Sequence, residues 1–444
     1  VIEDGAVAVE GHRIAAVGAR AALKEKYPDA AVEDFGDAVI TPGFVNAHSH
    51  LELTAMRGFL EREESAFTAW LGKLTFARLN YMTAEDLYIS AAWGAAEAAR
   101  AGVTTLADAS DAASASMRAL NEVGLRGIVY QEAFGPDPRL AQENFEKLKD
   151  KISVLRGFET EPVRAGVSPH AVYTVCAPLI EMIARYTLDE NLPLMMHAAE
   201  SEAEELLLRN GRGPFADNLS RRGIEWNAPG VSVIEYLERT GLLSARPLLA
   251  HCIRADEPDI ERIVETGAGV AHCPKSNAKL GHGRAPFAAF VNKGASVGLG
   301  SDSVASNNIC DMLEEARFAA LLSRAAGDKL LSGESMNARE VLFAATTGGA
   351  QAIGLDDRTG ALVAGSQADL VIIKLDGAHQ QPVYDAASTL VFSSSARDVL
   401  LTVVAGREIF RDGRVLTVDE ERLRARMMEI QEKLSAAAAA WSKI

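Results

Sequence analysis

His48 and His50 close the apolar run TPGFVNAHSH, one residue apart. In an extended strand residues i and i+2 point to the same side, so both imidazoles can face one point at the strand's end. Imidazole nitrogen is a ligand that zinc and iron accept readily, and two on one face can grip a single divalent ion. Two surface histidines would give the same triplet, so the triplet alone decides little. The rest of the chain adds to it. His170 in VSPHAVYT, His197 in LMMHAAES, His251 in LLAHC and Asp302 in GLGSDS each lie at or just past the end of a short apolar run. His272 in GVAHC does the same, but Cys273 and Pro274 follow at once and leave its placement open. His12, His282 and His379 read as surface residues of loops or of the terminal β segments.

His48, His50, His197 and Asp302 form a mixed nitrogen and oxygen set that leaves room for water on one zinc ion, and we take them as the expected ligands. Iron shares these ligand preferences and stands as the alternative. A bound divalent cation lowers the pKa of its water towards neutrality and makes a nucleophile. Asp302 is placed to accept the proton from that water. Glu200, three residues after His197, is placed to protonate a ring nitrogen of a substrate and later to hand a proton to the leaving group. His251 would orient the water and stabilise a developing oxyanion. The bland reading of Glu200 is a carboxylate at the helix start in HAAESEAEE. No lysine ends the fourth run, so no bridging group for a second metal is expected. The HxE…PCxxC and HExxH patterns of other zinc hydrolases are missing.

The elements that must position these groups are legible as alternation. Eight β-type runs (AVITPGFVNAHSH, GVTTLADAS, LRGIVYQEA, VRAGVSPHAVYTV, LPLMMHAAES, RPLLAHC, GAGVAHCPKSN and ASVGLGSDS) are separated by helical periodicity such as AEDLYISAAWGAAEAARAG. Strands alternating with helices pair in parallel, and eight such units predict an α/β fold of (β/α)8 barrel type, with functional groups at the strands' C-terminal ends. The two ends of the chain alternate apolar and polar around Gly turns instead, which predicts one small β-sandwich built from both termini. The expected domains are residues 1–40 and 360–416 for the sandwich, 41–359 for the barrel, and 417–444 for a C-terminal helix. Leu423, Met427, Ile430 and Leu434 give that helix an apolar stripe. The chain starts at Val1 in what reads as mid-strand, so a preceding segment is expected.

A net charge of −16 over 444 residues, spread rather than clustered, argues against a nucleic-acid partner, which needs a basic face. No apolar run is long enough to span a bilayer, so no membrane partner is expected. Four cysteines (Cys176, Cys252, Cys273 and Cys310) form no CxxC pair and read as buried reduced thiols of a cytoplasmic protein. The expected partner is a small-molecule substrate, and apolar helix faces suit a homodimer.

PGFVNAHSH, HAAES, His251–Cys252, CPKSNAKLGHG, GLGSDSVASNN and TGALVAGSQADLVII occur in an order that resembles the amidohydrolase superfamily, in its branch of mononuclear aminohydrolases and chlorohydrolases. The resemblance spans almost the whole chain and implies the same ligand and acid–base assignment. Within the branch, SPHAVYT, SNN and Trp70–Leu71 resemble S-adenosylhomocysteine/methylthioadenosine deaminases, where His170 would contact the substrate. Those enzymes carry a Trp-Pro-x-Glu run whose glutamate holds ribose hydroxyls, whereas here Arg78 falls at that place in LTFARLNYM. HLELTAMRG, the Trp70 to Arg78 spacing and GRGPF resemble aminodeoxyfutalosine deaminases, whose adenine nucleoside carries a benzoate that Arg78 could face as a two-bond fork. The resemblance therefore implies substrate-binding roles for His170, Trp70, Arg78 and Glu200, and a menaquinone-pathway nucleoside as substrate. Glu52 is either a partner of a ligand histidine or a helix-start carboxylate. A triazine chlorohydrolase needs the same activated water with chloride leaving. A non-enzymatic scaffold of the same fold would be expected to have lost the ligands, and here all are present.

Overall fold

The first of the eight runs divides at Gly43. In the computed structural model, which describes residues 1–64 and 66–443, residues on either side of this glycine belong to different sheets. A Cβ on Gly43 would lie 2.1 Å from the Thr104 side chain, so only glycine lets the chain pass there. The hairpin β1 (Gly5–Glu10) and β2 (Arg13–Ala19) comes first, followed by β3 (Ala38–Pro42) and, after Gly43, by β4 (Phe44–Ser49).

β4 opens the barrel, which continues through β5 (Val103–Ser110), β6 (Arg126–Ala133), β7 (Val163–Pro169), β8 (Met195–Ala198), β9 (Leu248–His251), β10 (Gly269–His272) and β11 (Ser296–Leu299). These eight strands are those expected from the sequence, and all pair in parallel in the order of the chain. Bridges between Val167 and Leu194 and between Ser49 and Asp302 join the two four-stranded halves and close the ring. Helices such as Ala84–Arg100, Ala141–Arg156 and Glu257–Thr266 pack outside. The first of these starts at a capping box, with Thr83 and Asp86 bonding each other's backbone N–H.

Inside the ring the strands contribute residues two apart: Ala107 and Ala109, Ile128 and Tyr130, Leu248 and Ala250, with Met195 and Ala271 beside them. That period fixes which side chain emerges at the top of each strand.

The terminal β layer combines both ends of the chain, as expected. β12 (Leu370–Lys374), β13 (Val399–Val404), β14 (Arg407–Arg411) and β15 (Arg414–Val415) form an antiparallel sheet in the order β15-β14-β13-β12-β3. Val7 of the N-terminal hairpin packs against its core of Leu370, Ile372, Leu401 and Val403. A buried ion pair, Arg126 Nε to Asp369 Oδ2 at 2.7 Å, pins the barrel to this layer. The helix Glu420–Trp441 buries Leu423, Ile430 and Leu434, while Met427 is half-buried. Among the described residues no helix is long and apolar enough to cross a membrane. All four cysteines are buried and free.

Candidate active site

Most of the strand-end residues meet above the barrel. His50 Nε2 lies 3.2 Å from His197 Nε2, and Asp302 Oδ1 lies 3.4 Å from His48 Nε2 and 3.6 Å from His50 Nε2. Donor atoms of His48, His50 and His197 fall within 4.8 Å of one another, as do those of His48, His251 and Asp302. Both ring nitrogens of His48 are buried with no hydrogen-bond partner among the described residues. A buried polar atom left unpaired costs on the order of 1–3 kcal/mol, and a cation at the centre would satisfy it. The donor set and its orphaned imidazole fit a divalent transition ion.

The surrounding residues hold these groups in place. Ser276 and Ser306 donate to Asp302 Oδ2 at 2.5 and 3.0 Å, which leaves Oδ1 to face the histidines. His197 Nδ1–H donates to the His170 carbonyl at 2.9 Å and so exposes a free lone pair on Nε2. His251 Nδ1 lies 2.9 Å from Asn277 Oδ1. A Cβ on Gly300 would sit 2.8 Å from that of His48, so the close approach of the chain just past β11 requires glycine. Ala199, His251, Cys252 and Asp302 have positive φ, an uncommon backbone state for side chains other than glycine that clusters at functional sites.

Electrostatics follow from burial. It pushes His48 down to about 4 and lowers His50 and His197, so all three imidazoles are neutral at pH 7 with lone pairs available. Burial also pushes Asp302 upward, but contact with His48 and the neighbouring His251 and His50 outweigh it and hold the carboxylate well below its ordinary range. Glu200 is raised to about 7 by burial, with His251 opposing and Asp302 adding to the rise. Its Oε1 lies 3.8 Å from His251 Nε2. Ser201, not Glu200, caps the helix Glu202–Asn210, so Glu200 is not that helix's N-cap.

One cavity of about 1150 Å³ opens above this centre and takes in every other expected residue: Trp70, Arg78, His170, Glu200, His251 and Asp302. His170 Nδ1 lies 2.8 Å from Thr174 Oγ1. Trp70 is buried, and its Nε1 has no partner among the described residues. Arg78 is engaged from within the chain. It donates to Glu52 Oε1 at 3.4 Å and to Asp111. Glu52 in turn accepts from Ser110 Oγ and the Ala112 N–H, each at 2.8 Å, and so braces the end of β5.

Two histidines depart from or complete the sequence reading. His272 points outward: Ala271 faces the barrel interior, so its neighbour turns away and stacks on Phe287 at 5.1 Å. His282 is not a surface residue. Its side chain is 8 % exposed, lies 3.9 Å from Glu200 Oε1 and packs edge-on against Phe67 at 4.6 Å. His12 and His379 are exposed, as expected. The sequence reading missed Glu132 and Asp111, which line the cavity, and the stacked rings of Tyr173 and Phe215. Applying the strand-end rule to carboxylates as well as histidines finds the first two.

Residues 39–409 match the Amidohydrolase family, and residues 5–30 match an imidazolonepropionase-like composite domain of bacteria. A 5-methylthioadenosine/S-adenosylhomocysteine deaminase of Nitratidesulfovibrio vulgaris is 33 % identical over 416 residues, covering 93 % of this chain and 88 % of that protein. The similarly named enzyme of Syntrophobacter fumaroxidans is 33 % identical over 433 residues, covering 96 % and 93 %. Among solved structures, an adenosine deaminase of Xanthomonas campestris with bound zinc superposes with a TM-score of 0.82 at 27 % identity, over 98 % of this chain and 94 % of that one. A zinc complex of an atrazine chlorohydrolase from Arthrobacter aurescens gives 0.80 at 25 % identity, over 96 % and 94 %. The chain belongs to the amidohydrolase family. Within it, the chain is a hydrolytic enzyme of the aminohydrolase kind.

Proposed function

We propose that this enzyme deaminates an adenine nucleoside, replacing the exocyclic amine with oxygen and releasing ammonia. The observation that carries the reading is Glu200, a buried carboxyl raised to about 7 and set 3.8 Å from His251 beside the histidine cluster. A divalent ion held by His48, His50, His197 and Asp302, zinc as in the neighbouring structures, would supply Lewis acidity and a water acidic enough to react at neutral pH. Glu200 keeps a proton near neutrality and delivers it to a ring nitrogen, which makes the ring carbon electrophilic. Asp302 Oδ1 is ionised and accepts a proton, while Asn277 fixes the ring of His251 for orienting the attacking group. Tyr173 and Phe215, stacked at 3.9 Å, give the cavity a flat apolar surface suited to a base.

For the finer substrate, the names of the relatives favour methylthioadenosine or S-adenosylhomocysteine. Aminodeoxyfutalosine remains a second reading because exposed Arg221 and Arg222 line the same cavity and suit a carboxylate tail, whereas Arg78 is already paired. Ammonia release from zinc-loaded protein tests the proposal, with adenosine, methylthioadenosine, S-adenosylhomocysteine and aminodeoxyfutalosine side by side and chlorotriazines followed by chloride. Turnover of one nucleoside supports it. Silence on all four, or chloride release alone, removes adenine from the reading.

A further inference from the structure

β6 places Ile128 and Tyr130 in the barrel interior. Two residues on, Glu132 continues the same face and emerges into the cavity. The residue is 6 % exposed, and its Oε1 is buried with no hydrogen-bond partner among the described residues. Its surroundings make this orphan unusual. One carboxylate oxygen of Glu132 and a ring nitrogen from each of His170 and His197 lie within 4.8 Å of one another, which sets the group beside the reaction centre. The nearby cation, Arg78, is already bonded to Glu52 and Asp111. Three carboxylates therefore share one guanidinium in this part of the cavity, and Glu132 is the member left without a donor. Burial and the nearby Glu52 and Asp111 disfavour its charged form, with Arg78 opposing; the unpaired oxygen is an acceptor, and a donor from the ligand would both satisfy it and favour the carboxylate.

We infer that Glu132 is a substrate-positioning residue that accepts hydrogen bonds from the sugar hydroxyls of the nucleoside. The inference rests on the nucleoside reading above and adds to it a requirement for hydroxyl groups. A charged acceptor bonded to a hydroxyl contributes roughly tenfold to a hundredfold in selectivity over the analogue lacking it.

The test compares kcat/KM for adenosine and 2′,3′-dideoxyadenosine on zinc-loaded wild type and Glu132→Gln, with zinc content and Tm measured on both. The expected result is a wild-type preference for adenosine of about tenfold or more. In Glu132→Gln that preference falls towards parity with one zinc per chain retained. Glu132→Asp, which keeps the charge but retracts it, preserves part of the preference and serves if the Gln variant does not fold. Three outcomes overturn the inference alone: no wild-type preference, a preference that survives in the variant, or loss of zinc from Glu132→Gln, which would make the residue a metal-holding group. A wild type inactive on every adenine nucleoside but active on another ring substrate overturns the nucleoside reading itself, whereas one active only on methylthioadenosine is compared with its 2′,3′-dideoxy analogue in the same way.

Discussion

Two charged clusters line one cavity and are built on opposite principles. Around the histidine cluster, Asp302, His197 and His251 each have one atom tied back to the scaffold and one left free: Ser276 and Ser306 hold Oδ2, the His170 carbonyl holds His197 Nδ1, and Asn277 holds His251 Nδ1. The free atoms all converge. Around Arg78 the charges satisfy one another instead, and a single carboxylate, Glu132, is left over. The first arrangement is organised to hold something at its centre, and the second to hold itself together. Pre-set geometry of the first kind is what acid–base and metal-assisted chemistry need.

The contrast can be broken most forcefully at Glu200. Glu200→Gln keeps the shape and removes the proton, so turnover should fall by roughly 10²–10⁴-fold with an unchanged Tm. Asp302→Asn should be as severe. Near-normal rates in either would mean that the first cluster is not the chemical centre. Arg78→Met asks whether the second cluster is structural. It leaves Glu52 and Asp111 without their shared guanidinium, whose side chain is only 14 % exposed, and should cost about 3 kcal/mol or more of stability. A variant as stable as wild type in urea would show that the cluster is loosely held. Replacing Ser276 by Ala leaves Asp302 Oδ2 held by Ser306 alone, and zinc affinity should drop about 10- to 100-fold in a chelator competition while the fold persists. Unaltered affinity would remove the bracing argument.

The smallest effect concerns pH. Glu315 is buried outside both clusters and accepts from Asn307 Nδ2 at 2.6 Å. Burial raises it to about 8, with Lys275 and Asn307 opposing. The folded state therefore keeps a proton that the unfolded chain releases near 4.5. Its contribution to stability is full below that pH and is lost as pH rises through about 8. Glu315→Gln should flatten the fall in Tm between pH 6 and 8.5 by a few degrees. An identical slope in the variant would assign the pH dependence to other buried carboxyls.

The sequence carried the barrel and most of the first cluster because period-two alternation and strand-end position are local properties. It left His272 open while assigning His251, since both stand in an Ala-His-Cys context after an apolar run. The difference is backbone: His251 has φ 72° and turns its ring into the site, whereas His272 keeps the strand's alternation and packs outward on Phe287. The path of the loop that brings His282 beside Glu200 leaves no periodic trace. Arg78 was found as a residue but not as part of a cluster, because Glu52 and Asp111 lie 26 and 33 positions away. The division at Gly43 was hidden because two strands of different sheets abut across one residue.

That division also has a consequence for how the protein is made. β3 is continuous with the strand that carries His48, yet its partner β12 is synthesised about 330 residues later. At roughly 5–20 residues per second, the nascent chain waits on the order of 15–65 s with that edge uncovered. Throughout this interval the ribosome-bound intermediate presents the unpaired backbone of Ala38–Pro42 to any neighbouring strand.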